Sequence, residues 1–360
     1  MRAISGWLIG MLLVALTTAA HAYSAMYVLG DSLSDNGNNQ AFLVNGLQIP
    51  ATVAPYQVPN SNEPLVPITP YALSAATYTY SNGRVWVDYL ADSLGLSLAP
   101  SLAGGTNFAY GGARTGDLGL GDGNGDQPNS LRVQADQLVN LAPLPGNALY
   151  VVWGGGNDIR ALGAQLGPKL SDLDPAVRLQ ASADLQAGLG AGITNLGSTI
   201  NVLANAGARN FLVPNLPDLG ITPYARFLEN NGQLGTMALL TGLSVSYNQG
   251  IAGLVAPLQG NPLFSITTLD IFAFNRAVLA DAQPGYNATD ACTSENAFTG
   301  CSNPESFLYW DGVHPTTASH QAIANLASNA LQPVPVPGSL PLAVGGFVML
   351  LGAARRRRAA

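Results

Sequence analysis

The stretch YVLGDSLSDNGN, residues 27–38, changes character in its middle. Met26 to Leu29 is a short apolar run that stops at Gly30, as expected of a buried parallel strand whose carboxyl end opens into a loop. Ser32 then stands where an open α/β sheet places its reactive groups, although Gly-Asp-Ser is also ordinary turn chemistry and decides nothing alone. Similar runs recur: Ala148 to Trp153 ends in Gly154-Gly155-Gly156-Asn157-Asp158, Asn210 to Val213 ends in Pro214-Asn215, and Leu263 to Leu269 ends in Asp270. Between and around them lie segments of helical character, at Val85 to Leu94, Pro175 to Ala206, Leu234 to Leu258 and Thr316 to Leu331. Short strands alternating with longer helices predict an α/β fold around a parallel sheet.

The two ends stand apart from this pattern. Arg2, the apolar block Trp7 to Leu16 and the small-residue site Ala20-His21-Ala22 read as a secretory signal peptide over residues 1–22. Residues 333–360 combine Pro333-Val334-Pro335-Val336-Pro337, an apolar stretch from Ser339 to Ala354, and Arg355 to Arg358. Sixteen apolar residues are short for a membrane span of about 20, but the arginines favour cytoplasmic retention and transient anchoring. This end resembles the PEP-CTERM sorting signal, which implies an exosortase-type processing enzyme and delivery to the cell surface or extracellular matrix of a Gram-negative bacterium. The usual glutamate of Val-Pro-Glu-Pro is absent, and a simple tail anchor is the alternative.

Residues 23–332, read as one domain, hold nine basic and twenty-one acidic residues, which argues against a nucleic-acid partner. Cys292 and Cys301 are the only cysteines, and export makes a disulfide between them the expectation. Residues 49–70 hold six prolines and read as an irregular surface excursion, and the Gly-Asp-rich stretch 117–126 reads as a solvated turn without calcium-loop spacing.

Histidine supply narrows the chemistry. His21 leaves with the signal peptide, so a histidine base is His314 or His320. His314 lies in Trp310-Asp311-Gly312-Val313-His314, where Asp311 is placed to turn back on the imidazole, whereas His320 falls inside the last helix as a surface or packing residue. No Gly-x-Ser-x-Gly block contains a nucleophile.

Four separated blocks together resemble the GDSL or SGNH hydrolase family: Gly30-Asp31-Ser32-Leu33-Ser34-Asp35 with Asn36-Gly37-Asn38, Asn107-Phe108-Ala109-Tyr110-Gly111-Gly112-Ala113, Gly155-Gly156-Asn157-Asp158, and Asp311-Gly312-Val313-His314. Ser81 to Trp86 also looks like the sequence these enzymes carry after the first loop. The resemblance implies a three-layer α/β/α, flavodoxin-like fold and a serine esterase or lipase acting on carboxylic esters without metal or cofactor. It assigns Ser32 as nucleophile, His314 as base, Asp311 as orienter, and Ser32, Gly111 and Asn157 as oxyanion donors, with Gly111 preferred to Gly112 by motif alignment only. Asp31 and Asp35 are expected to brace the turn. The alternatives are a matrix polysaccharide O-deacetylase, a catalytically idle surface protein and, less favoured for want of histidine, a metal phosphoesterase using Asp31, Asp35, Asp158, Asp311 and His314.

Overall fold

The computed structural model describes residues 23–39, 79–120, 129–293 and 301–332. The segments read as signal peptide and sorting signal lie outside the described residues, as do the proline-rich stretch 49–70 and residues 121–126 of the Gly-Asp-rich turn. Among the described residues no helix is long and apolar enough to cross a membrane.

Four strands form a parallel sheet in the order β1 (Met26–Gly30), β2 (Leu149–Trp153), β3 (Asn210–Pro214) and β4 (Ser265–Leu269). On the free side of β1, residues 106–110 run parallel to it. Val28 N–H donates to Thr106 O, Phe108 N–H to Val28 O, and Tyr110 N–H to Gly30 O. The spatial order is therefore 106–110, β1, β2, β3, β4, the flavodoxin-like arrangement in which the chain first steps one way from β1 and then returns to its other side. The carboxyl ends of β1 and β2 flank that reversal, where ligands bind in open α/β sheets.

Apolar side chains cover both faces, as a parallel sheet requires. On one face Leu29, Tyr150, Val152, Phe211 and Val213 pack against helices α2 (Leu131–Val139), α4 (Pro175–Asn205) and α6 (Thr236–Gln259), through residues such as Leu138, Ile200 and Ile251. On the other, Trp86 of α1 (Trp86–Ser93) meets Trp153 edge-on at 5.3 Å, and its backbone N–H donates to His320 Nδ1 on α8 (Thr317–Leu331). These layers make the α/β/α sandwich.

The predicted strands and long helices are present within one or two residues of their expected limits. Sequence periodicity does not announce α3 (Gly156–Leu170), which starts inside a glycine run, nor the short α2, α5 (Pro223–Asn230) and α7 (Ile271–Ala280). A second small parallel pair, β5 (Asn287–Ala291) with β6 (Phe307–Tyr309), is equally silent in sequence because Asn-Ala-Thr-Asp-Ala lacks apolar alternation. Cys292 and Cys301 are joined by a disulfide next to this pair, and the Cys292 and Thr293 N–H groups donate to Tyr309 O and Trp310 O. The pair thus fixes the chain entering the Asp311 to His314 loop.

His320 is fully buried and is a packing residue. Its Nδ1 accepts from Trp86 N–H at 3.3 Å, which places the ring proton on Nε2, an atom with no partner among the described residues. Burial, and then the nearby His314, pull the imidazole down from 6.5 to about 3. A histidine favoured neutral in the fold contributes stability that is complete above its unfolded value and is lost as pH falls through the window from 6.5 to about 3. Within that window each fall in pH weakens the fold, because the unfolded chain takes up a proton that the buried ring does not. His320→Asn, which retains an acceptor, should flatten this acid limb in urea melts run at successive pH values. Parallel curves for variant and wild type would place the acid loss at other groups.

Candidate active site

The turn after β1 is built by its own polar side chains. Asp31 Oδ1 accepts Leu33 N–H at 3.0 Å, while Asp31 O accepts from Ser34 and Asp35 N–H, which leaves the Ser32 N–H without an acceptor among the described residues. Gln134 of α2 brackets the strand end, accepting Gly30 N–H at 2.8 Å and donating to Gly30 O at 2.8 Å. Nothing in the sequence pattern marks Gln134 for this part.

Asparagines weld the first two sequence blocks together. Asn38 Nδ2 donates to the carbonyls of Asn107 and Ala109, and Asn107 Nδ2 donates to Ser34 O and Asn36 Oδ1. Asp35 completes the joint: its Oδ1 accepts Gly37 and Asn38 N–H, and its Oδ2 accepts Gly111 N–H at 3.0 Å and Asn39 N–H. Burial raises Asp35 to about 6 against the pull of those amides, and Asp31 is likewise raised to about 6 by burial, opposed by the Leu33 amide and His314. Both aspartates brace the turn; Asp35 also ties it to the next block.

That contact corrects the expectation for Gly111. Its N–H is already engaged by the Asp35 carboxylate and is not a free donor. The neighbouring Gly112 is only partly buried, takes the left-handed φ of 78° that favours glycine, and presents an N–H with no acceptor among the described residues.

Asn157 stands in the first turn of α3, after Gly155, whose φ of 116° and contact with Tyr247 leave no room for a side chain. One Asn157 amide proton goes to Ala113 O at 2.9 Å, which fixes the amide plane and leaves the second proton to be donated elsewhere. Asp158, raised by burial, accepts the Thr115 N–H and hydroxyl. The loop 111–115 is therefore held by Asp35 at one end and Asp158 at the other.

The structure brings Ser32, His314 and Asp311 together. His314 Nε2 lies 2.8 Å from Ser32 Oγ, and Nδ1 lies 2.7 Å from Asp311 Oδ2 and 2.9 Å from Oδ1. Asp311 Oδ1 also accepts the Val313 and His314 N–H groups, and Trp310 N–H donates to His314 O, closing a tight loop. Burial alone would raise Asp311, but the His314 charge and hydrogen bond together with those two amides hold it below the ordinary carboxylate value. An ionised Asp311 only accepts, so Nδ1 carries the ring proton and Nε2 is the acceptor facing the Ser32 hydroxyl. All three side chains are buried, with Ser32 the most accessible at 8 %. Among the described residues no three His, Cys, Asp or Glu side chains are grouped to hold a metal ion, since Asp31, Asp35 and Asp158 each turn to backbone amides.

Comparison with known proteins decides the family. The model of the GDSL-like Lipase/Acylhydrolase family matches residues 26–327. The chain belongs to that family. Membership places it among the carboxylic ester hydrolases. It is 30% identical over 216 residues to Lipase 1 of Photorhabdus luminescens, an alignment that takes in 59% of this chain and 26% of that one. It is 25% identical to acetylajmalan esterase 2 of Rauvolfia serpentina over 84% of this chain and 88% of the relative. Phospholipase A1 from Streptomyces albidoflavus NA297 superposes at a TM-score of 0.37 with 15% identity, over 86% of this chain and 99% of that one.

Proposed function

We propose that this GDSL-family protein is a secreted serine esterase or lipase that cleaves carboxylic esters through an acyl-enzyme intermediate on Ser32. The observation that carries the reading is the unbroken line from Ser32 Oγ through His314 to Asp311. Ser32 Oγ attacks the ester carbonyl as its proton passes to His314 Nε2, and the C–O bond breaks as that proton reaches the leaving alcohol. Water then attacks the acyl group, giving its proton to the same nitrogen, and Ser32 is restored. Throughout, Asp311 holds the tautomer and stabilises the imidazolium.

Charge developing on the carbonyl oxygen is met by donors without an acceptor among the described residues: the Ser32 N–H, the Gly112 N–H and the second amide proton of Asn157. Preorganised donors of this kind contribute most where water is excluded. Asn157→Ala is expected to lower kcat on p-nitrophenyl esters by ~10²–10³. Turnover within a few-fold of wild type would remove the amide from the oxyanion site. Export through residues 1–22 and processing of residues 333–360 by an exosortase-type enzyme complete the proposal. Mass spectrometry of the protein recovered from the medium tests it, since intact termini would exclude both cleavages.

A further inference from the structure

Gly111 stands immediately before the Gly112 donor, and both of its backbone polar groups are held by buried side chains. Its N–H donates to Asp35 Oδ2 at 3.0 Å, a contact that spans 76 residues. Asp35 belongs to the turn of the nucleophile, where its own N–H and that of Ser34 donate to Asp31 O. One carboxylate thus links the Ser32 turn to the residue before Gly112. Its other oxygen is committed to the turn itself, accepting Gly37 N–H at 2.9 Å and Asn38 N–H at 2.7 Å.

The carbonyl of Gly111 is held separately. Asn129 Nδ2 donates to Gly111 O at 3.3 Å, and Asn129 is buried. Gly111 O and Gly112 N–H belong to one trans peptide unit and point opposite ways, so a contact that fixes the carbonyl also aims the N–H. Tyr80 packs against Gly111 where a side chain would stand, which closes that direction to movement. The peptide that presents Gly112 N–H is therefore braced before it is asked to meet a charge.

We propose that Asp35 and Asn129 are positioning residues of the oxyanion site, which clamp Gly111 so that Gly112 N–H keeps a fixed place relative to Ser32. The proposal rests on the serine-esterase reading, because the clamp affects rate only where charge develops on an oxygen beside those donors. Both side chains act through the backbone. Since the oxyanion exists in the transition state and not in the bound ester, a misaimed donor lowers kcat and leaves substrate binding nearly unchanged.

The test uses the purified protein with Asp35→Asn and Asn129→Leu, each normalised to the number of sites titrated by a fluorophosphonate. An asparagine at position 35 that keeps its oxygen toward Gly37 and Asn38 turns its NH₂ onto Gly111 N–H, so the turn persists while the glycine is released. Per-site kcat on p-nitrophenyl butyrate should fall by on the order of 10² in Asp35→Asn and on the order of tenfold in Asn129→Leu, with KM little changed. Affinity for an alkyl trifluoromethyl ketone should fall by similar factors. Ser32 Oγ adds to the carbon of that ketone as its proton passes to His314, which leaves a negative oxygen among the same donors. A merely structural role would reduce the number of titrated sites and leave per-site kcat and ketone affinity as in the wild type. Per-site kcat within about threefold of wild type in either folded variant, or a loss confined to KM, overturns the clamp. Should one variant not fold, the other decides. Absent fluorophosphonate labelling of the folded wild type would instead remove the serine-esterase reading, so the two failures are distinct.

Discussion

Ser32→Ala is expected to lower hydrolysis of p-nitrophenyl esters by ~10⁴–10⁶ while leaving a folded protein, because a triad without its nucleophile retains only what binding and the oxyanion donors supply. The fold does not depend on the hydroxyl. The Ser32 side chain bonds to His314 alone among the contacts described, and the turn around it is held by the Asp31 carbonyl and carboxylate, by Gln134 and by Asp35. Alanine also keeps the Ser32 backbone donor. Loss of the nucleophile therefore separates from loss of structure, and two readouts should change together: ester turnover, and fluorophosphonate incorporation, which should fall from one label per chain to none. Wild-type turnover in the alanine variant would show that another group performs the chemistry.

The sheet and the triad were legible for a common reason. Each strand of this sheet is an apolar run ended by glycine, proline or aspartate, and three of the four blocks sit where those runs end or where the last helix begins, so position in the chain foretells position in the fold; the block Asn107 to Ala113 follows no such run. The supporting contacts were less legible. Gln134 lies on the buried side of an amphipathic helix where an apolar residue is the usual occupant, and only the nearby end of β1 explains it. The competition between Gly111 and Gly112 is equally invisible in a motif, because it turns on which amide Asp35 reaches from 76 residues away. For His320 the sequence leaves surface and packing roles open, since the choice depends on α1, which meets it from more than 200 residues upstream. In each case a long-range polar contact, rather than a periodic pattern, decides the outcome.

Asp311→Asn should be nearly as damaging as loss of the nucleophile, with kcat down by ~10⁴ and KM little changed. Asparagine has almost the same shape, and its retained Oδ1 still accepts the Val313 and His314 N–H groups, so the loop that carries the base persists. What changes is the partner of the imidazole. An amide NH₂ in place of Oδ2, which lies 2.7 Å from Nδ1 in the wild type, donates rather than accepts, and drives the ring proton to Nε2. That nitrogen faces Ser32 Oγ and is then unable to take its proton. The wild-type carboxylate avoids this at any working pH, because His314 and the two amides keep Asp311 below its ordinary 3.8 despite burial. Stability linked to that ionisation is present above 3.8 and lost only as pH falls through the still lower value in the fold. Far-ultraviolet circular dichroism at neutral pH should remain close to wild type while kcat collapses, and the urea midpoint should fall modestly, because the amide cannot supply the stability linked to ionisation of Asp311. A loss of less than tenfold in kcat would mean that His314 takes its orientation from the loop and Tyr80, whose ring lies 5.2 Å from the imidazole, rather than from the charge of Asp311.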